Sequence, residues 1–229
     1  MTGGILSAST PVFADETASS IVRGAKLYDK WYKVIGAKAP KMSQAAYPTS
    51  KAKAKKPKDN WRFKECHGWD YKGVDGAYKT GSHNTGIRGI NAMAGADTGK
   101  IVAVLKDKTH DLNGKLEEAG FQDLAMFVSK GQIDHSKYID ANKKIIGGDA
   151  ARGAAYFNTV CANCHRKDGT KPKDMGKSLG SQMGNPWEVM HKIVNGQPDE
   201  KMPALREFGM QPILDIMAHI ATLPKKKLK

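Results

Sequence analysis

Six stretches of the chain carry apolar residues at helical spacing, and the sequence between them is polar and broken by glycine and proline. From Ala18 to about Ile35, Ile21, Ala25, Leu27, Tyr28, Trp31 and Tyr32 supply the apolar positions of an amphipathic helix, with Ser19 or Ser20 placed to cap its start. Gly148–Cys161 opens in a related way, because Arg152-Gly153-Ala154 with Tyr156-Phe157 corresponds to Arg23-Gly24-Ala25 with Leu27-Tyr28. Two more helix pairs follow the same order: Asp97–Lys106 with Gly120–Val128, and Asn185–Asn195 with Gln211–Leu223. Pro186 suits a first turn and Gly196 a helix end. The repetition predicts an internal duplication into two small all-α domains, each opening with a helix whose glycine permits close packing; chance similarity of two short helices is the competing explanation.

The domains fall at 15–130 and 148–229, joined by a connector at 131–147. Residues 36–60 form an insertion that the second domain lacks, interrupted by Pro40, Pro48 and Pro57 and carrying Lys51, Lys53, Lys55, Lys56 and Lys58. Such a charge run is a solvated loop or a docking face. Residues 1–14 resemble the tail of a secretory signal, with compact residues before Asp15-Glu16, which predicts export to the periplasm; a disordered end is the other reading. No run approaches the roughly 20 apolar residues that span a bilayer, so no transmembrane segment is expected.

Composition adds two constraints. Of the 229 residues 37 are Lys or Arg and 23 are Asp or Glu, a net charge of +14 that favours encounter with acidic partners. Nucleic acid would also attract such a surface, but no binding motif accompanies the charge. Aromatic content is 7% and hydrophobic content 40%, a modest core that a large flat apolar ligand would supplement.

The chain has three cysteines. Two lie in Cys161-Ala162-Asn163-Cys164-His165, which reads as covalent attachment of a c-type haem. Residues i and i+3 share a helix face, so both sulfurs can meet the two vinyl groups of one porphyrin while His165 turns to the iron. Zinc would need a second ligand pair, and a thioredoxin-type site a βαβ context. The third cysteine, Cys66, is also followed by histidine, His67, so all three thiols can be assigned to haem.

A c-type haem takes a sixth ligand from a later loop, and Met202, followed by Pro203, lies between the last two helices; Met175, Met183 and Met190 compete or fill core. In the first domain His110 occupies the corresponding loop, with Met93 as runner-up and His83 and Met126 as further candidates. His135, His191 and His219 read as surface or core residues.

With these residues in place, 148–223 resembles a small class I cytochrome c: haem motif near the start, Met-Pro in a late loop, terminal helix crossing the first. Trp61-Arg62-Phe63-Lys64-Glu65-Cys66-His67-Gly68-Trp69-Asp70-Tyr71-Lys72-Gly73 resembles a group of bacterial dihaem cytochromes c that carry a cysteine where Phe63 stands. The resemblance implies an all-α protein of two cytochrome c-like domains with long loops around two haem c groups, the first attached through Cys66 alone. A noncovalent haem and an empty site are the other outcomes of Phe63. The implied function is single-electron transfer between periplasmic redox partners. If His110 is a ligand, the first iron has two nitrogen ligands and the lower potential, so electrons run downhill to the second. A dihaem oxidoreductase of the thiosulfate dehydrogenase or peroxidase kind, a haem-based sensor, or a subunit of a larger redox complex are the rival readings. The enzyme and sensor readings need an open sixth position, and the lack of a fourth cysteine argues against a thiolate-ligated thiosulfate site.

Overall fold

A computed structural model describes residues 16–228; the signal-like segment 1–14 lies outside the described residues. Its helices are α1 (Glu16–Val34), α2 (Pro57–Asn60), α3 (Phe63–His67), α4 (Thr98–Leu105), α5 (Glu118–Met126), α6 (Ala150–Tyr156), α7 (Ala162–His165), α8 (Leu179–Gln182), α9 (Pro186–Asn195) and α10 (Met210–Thr222). Among the described residues extended structure is limited to isolated bridges, Gly73 with Arg88, Ile139 with Ile145 and Lys177 with Lys227, so the protein is all-α. No helix of the described residues is long and apolar enough to cross a membrane.

Capping explains two of the helix starts: the side chains of Asp97 and Asp149 accept from the backbone N–H of Lys100 and Arg152, each at 2.9 Å. The start of α1 differs from the sequence expectation. It begins at Glu16, and Ser20 lies inside it, its hydroxyl donating at 2.7 Å to Asp123 on α5 rather than capping. The helix departs from helical geometry at Lys30 (φ −159°, ψ 74°). Both α5 and α6 run on into a wider π turn, Phe127–Gly131 and Phe157–Cys161, and the second of these delivers Cys161 to the start of α7.

Two hydrophobic clusters form. One joins α1, α4 and α5 through Leu27, Tyr28, Trp31, Ile101, Phe121, Leu124 and Phe127; the other joins α6, α9 and α10 through Phe157, Met190, Ile193, Ile213, Ile216 and Met217. Burying such side chains contributes about 1.5–3 kcal/mol each. The crossings α1 on α5 and α6 on α10 are built alike. Arg23 bonds Asp123 through Nε (2.8 Å) and Nη2 (3.0 Å), and Arg152 bonds Asp215 through the same two nitrogens (2.9 and 3.0 Å). The glycine after each arginine lies against the backbone of that aspartate.

The two halves meet through buried polar contacts. His191, on α9, has its Nδ1 3.1 Å from the Tyr71 hydroxyl and its Nε2 3.1 Å from the Ala25 carbonyl. A carbonyl only accepts, so Nε2 carries the proton and Nδ1 accepts from the tyrosine. Lys192 bonds Asp29 at 2.9 Å, and Arg206 donates to the Gly131 carbonyl at 2.9 Å. The segment 131–147 is packed rather than loosely tethered: His135 is buried, and Ile139 joins the second cluster. The basic insertion is also held in place. Trp61 donates from Nε1 to the Met42 carbonyl, Tyr32 from its hydroxyl to the Lys58 carbonyl, and Lys53 pairs with buried Glu65 at 2.7 Å.

Candidate functional sites

In the C-terminal half, Cys161 ends the wide turn, and Cys164 and His165 follow on the single turn of α7. His165 Nδ1 lies 2.8 Å from the Lys171 carbonyl, which makes Nδ1 the protonated nitrogen and leaves the Nε2 lone pair as the donor. A cavity of about 570 Å³ opens beside them. Its wall includes Cys161, Cys164, His165, Met202 and Pro203 over an apolar surface formed by Phe157, Val160, Leu179, Val189, Ile193, Leu205 and Ile220. Of the competing methionines, Met175 also lines the cavity, whereas Met190 is fully buried in the second cluster and Met183 packs against that cluster.

These residues fit a haem c. The volume is that of a pocket for a sizeable apolar ligand, and the donors are two sulfurs that can form thioethers, an imidazole, and a thioether from a later loop. Burial pushes the Cys161 thiol up to about 11, away from the low values of redox-active cysteines. Among the described residues no group of three or more His, Cys, Asp and Glu side chains is gathered for a metal ion, so the second ligand pair that zinc requires is missing.

In the N-terminal half, α3 carries Phe63, Cys66 and His67. Burial pushes the Cys66 thiol up to about 12 and the His67 imidazole down to about 4, so His67 is a neutral lone-pair donor at pH 7. Its Nδ1 lies 2.7 Å from the Arg88 carbonyl. His110, in the loop between α4 and α5, has Nδ1 3.0 Å from the Val104 carbonyl, and Asp107 caps the loop through the N–H groups of Thr109 and His110. The centroids of the His67 and His110 rings lie 6.3 Å apart, with their planes inclined by 26°. Imidazole holds iron through an in-plane lone pair, and with each Nδ1 turned to a carbonyl the Nε2 atom of each ring is the donor that would do so.

The other ligand candidates make contacts of their own. His83 stacks on Tyr78 at 4.8 Å and lies 3.3 Å from Glu65, while Met93 and Met126 pack against the first cluster. Phe63, three residues before Cys66, has its ring centroid 6.1 Å from that of Tyr28 and 6.2 Å from that of His110. Periodicity gave no sign of Gln44, which reaches from the insertion to the loop that carries His110: its Nε2 donates to the Thr109 carbonyl at 2.5 Å and lies 3.4 Å from that of His110. The amide's place 65 residues before Thr109 carries no pattern that sequence alone would expose.

A helical unit that brings Cys, Cys and His on one turn to an apolar cavity shared with a loop methionine has the pocket of a c-type cytochrome. Residues 148–220, about a third of the chain, match the family model described as cytochrome C oxidase, cbb3-type, subunit III, and this match supports a haem c electron-transfer protein. No curated protein and no solved structure matches the chain.

Proposed function

We propose that the protein is an exported, periplasmic dihaem cytochrome c that carries single electrons between redox partners. One haem would be held by Cys161 and Cys164 with His165 and Met202 as axial ligands, the other by Cys66 alone with His67 and His110. The observation that carries the reading is the single cavity onto which Cys161, Cys164, His165 and Met202 converge. When bound, haem supplies the one-electron iron couple; the chain supplies ligands, burial and a docking surface.

Two domains, 15–130 and 148–229, each hold one centre in this reading. Two features support a joint role. Arg62 lines the cavity of the second site, and five residues further on His67 belongs to the first, so one short segment touches both. Two imidazoles give the first centre the lower potential and an imidazole with a thioether the second the higher, which sets the direction of electron flow. The positive charge of the chain suits an acidic partner, and Lys55, Lys56 and Lys58 of the insertion, which precedes the first site in sequence, are exposed.

An oxidoreductase of the thiosulfate dehydrogenase or peroxidase kind and a haem-based sensor both require an open position on one iron. The His67 and His110 pair supports a closed one. Adding carbon monoxide to the reduced protein tests this: an unchanged spectrum is expected of a carrier with both irons six-coordinate, and ready binding at either centre would replace the carrier by the enzyme or sensor.

A further inference from the structure

The wall of the second cavity is completed by the first half of the chain. Lys30 of α1 and Arg62, next to the start of α3, line it together with Lys192 of α9. Arg62 is fixed from behind. Its Nε donates to the Asp29 carbonyl at 2.8 Å and its Nη2 pairs with the Asp29 carboxylate, whose other oxygen takes Lys192 at 2.9 Å. The remaining nitrogen, Nη1, has no partner among the described residues.

Lys30 is placed differently. It sits where α1 leaves helical geometry, is half-buried, and forms no ion pair among the described residues, although its neighbour Asp29 holds two cations. The acidic residues of the same wall do not neutralise it. Glu188 accepts from Asn185 at 3.1 Å and lies 3.8 Å from Lys192, and Asp174 and Glu200 are exposed. Two cations with unused donors therefore face a largely apolar cavity, an arrangement that costs desolvation unless an anion meets them.

We propose that Lys30 and Arg62 form an anion-binding pair, supplied by the N-terminal half, for the carboxylates of the haem that the C-terminal half would hold. The inference rests on haem occupying that cavity. A porphyrin of this kind is apolar except for its two propionates, and a guanidinium and an ammonium at the cavity wall match those groups. The second centre is then assembled across the interface between the halves. Fixed positive charge beside the site favours the iron state with the lower charge, so both cations raise the reduction potential.

The test uses the full chain with its haems in place. Lys30→Gln breaks no ion pair, so its effect reads the charge; Arg62→Gln and the double variant extend the series. Redox titration of each is expected to shift the reduction equilibrium of the centre at Cys161 and Cys164 about tenfold toward the oxidised form per charge removed, about 59 mV for one electron. Lys30→Arg and Arg62→Lys should retain most of the wild-type potential, which a purely structural role would not require. Unchanged potentials in Lys30→Gln and in the double variant, with haem still bound to Cys161 and Cys164, would overturn the inference while leaving the cytochrome reading intact. A wild-type protein without haem on those cysteines would overturn both.

Discussion

Gly24 packs against the carbonyl oxygen of Asp123 so closely that a Cβ added to it would stand 1.9 Å away. Gly153 and Asp215 repeat the relationship at the same distance. Each pair lets the opening helix of its half cross the closing one at backbone contact, and the adjacent arginine then reaches the aspartate carboxylate. Gly24→Ala and Gly153→Ala should therefore each force a crossing apart, at a cost of about 2–3 kcal/mol. Gly120→Ala is the control, since its Cβ would meet Leu116 at an ordinary 3.7 Å. Thermal melts should show lower midpoints for the first two variants and no loss for the third.

The interface between the halves should weaken in mild acid. Burial holds His191 down at about 4 against an ordinary 6.5, so between those values the unfolded chain binds a proton that the folded one does not. Its contribution to stability is present above pH 6.5 and is lost as pH falls toward 4. In His191→Gln the drop in unfolding free energy from pH 7 to pH 5, measured with denaturant, should be smaller than in the wild type by about 2 kcal/mol.

The proposed axial ligands can be separated by substitution. Met202→Ala should abolish the thioether-to-iron absorption of the second centre and lower its potential, and Met175→Ala should preserve both. At the first centre, His110→Ala should raise the potential or leave the iron five-coordinate and open to carbon monoxide. Electronic spectra of the reduced and oxidised variants check each expectation.

Phe63 stands one helical turn before Cys66 on α3. Phe63→Cys should add a second thioether to the one proposed at Cys66. The alkaline pyridine spectrum of the variant should then move toward that of a haem joined through two thioethers, while the second centre keeps its own.

Much of this architecture was legible in the sequence, for local reasons. The amphipathic stretches became α1, α4, α5, α9 and α10 within a few residues, because apolar periodicity is a property of consecutive positions. The spacing of Cys161, Cys164 and His165 likewise needs only one turn. The Arg23 and Asp123 clamp spans 100 residues and the Arg152 and Asp215 clamp 63, and neither aspartate differs in pattern from a solvated acidic residue. His191 reads as an ordinary helix position, yet it closes the interface between the halves. The lysine run of the insertion reads as solvated, but Lys53 is drawn inward by Glu65. These features depend on which distant segment arrives opposite, information that periodicity does not carry.

The number of haems the chain binds, and the sulfurs that hold them, distinguish a dihaem carrier from a chain with a single haem. Mass spectrometry of the intact protein, produced with the c-type maturation machinery and then digested, reads both directly. The expected result is two covalent haems, one on the peptide with Cys161 and Cys164 and one on the peptide with Cys66. A mass corresponding to one haem, with the Cys66 thiol open to alkylation after unfolding, would contradict it.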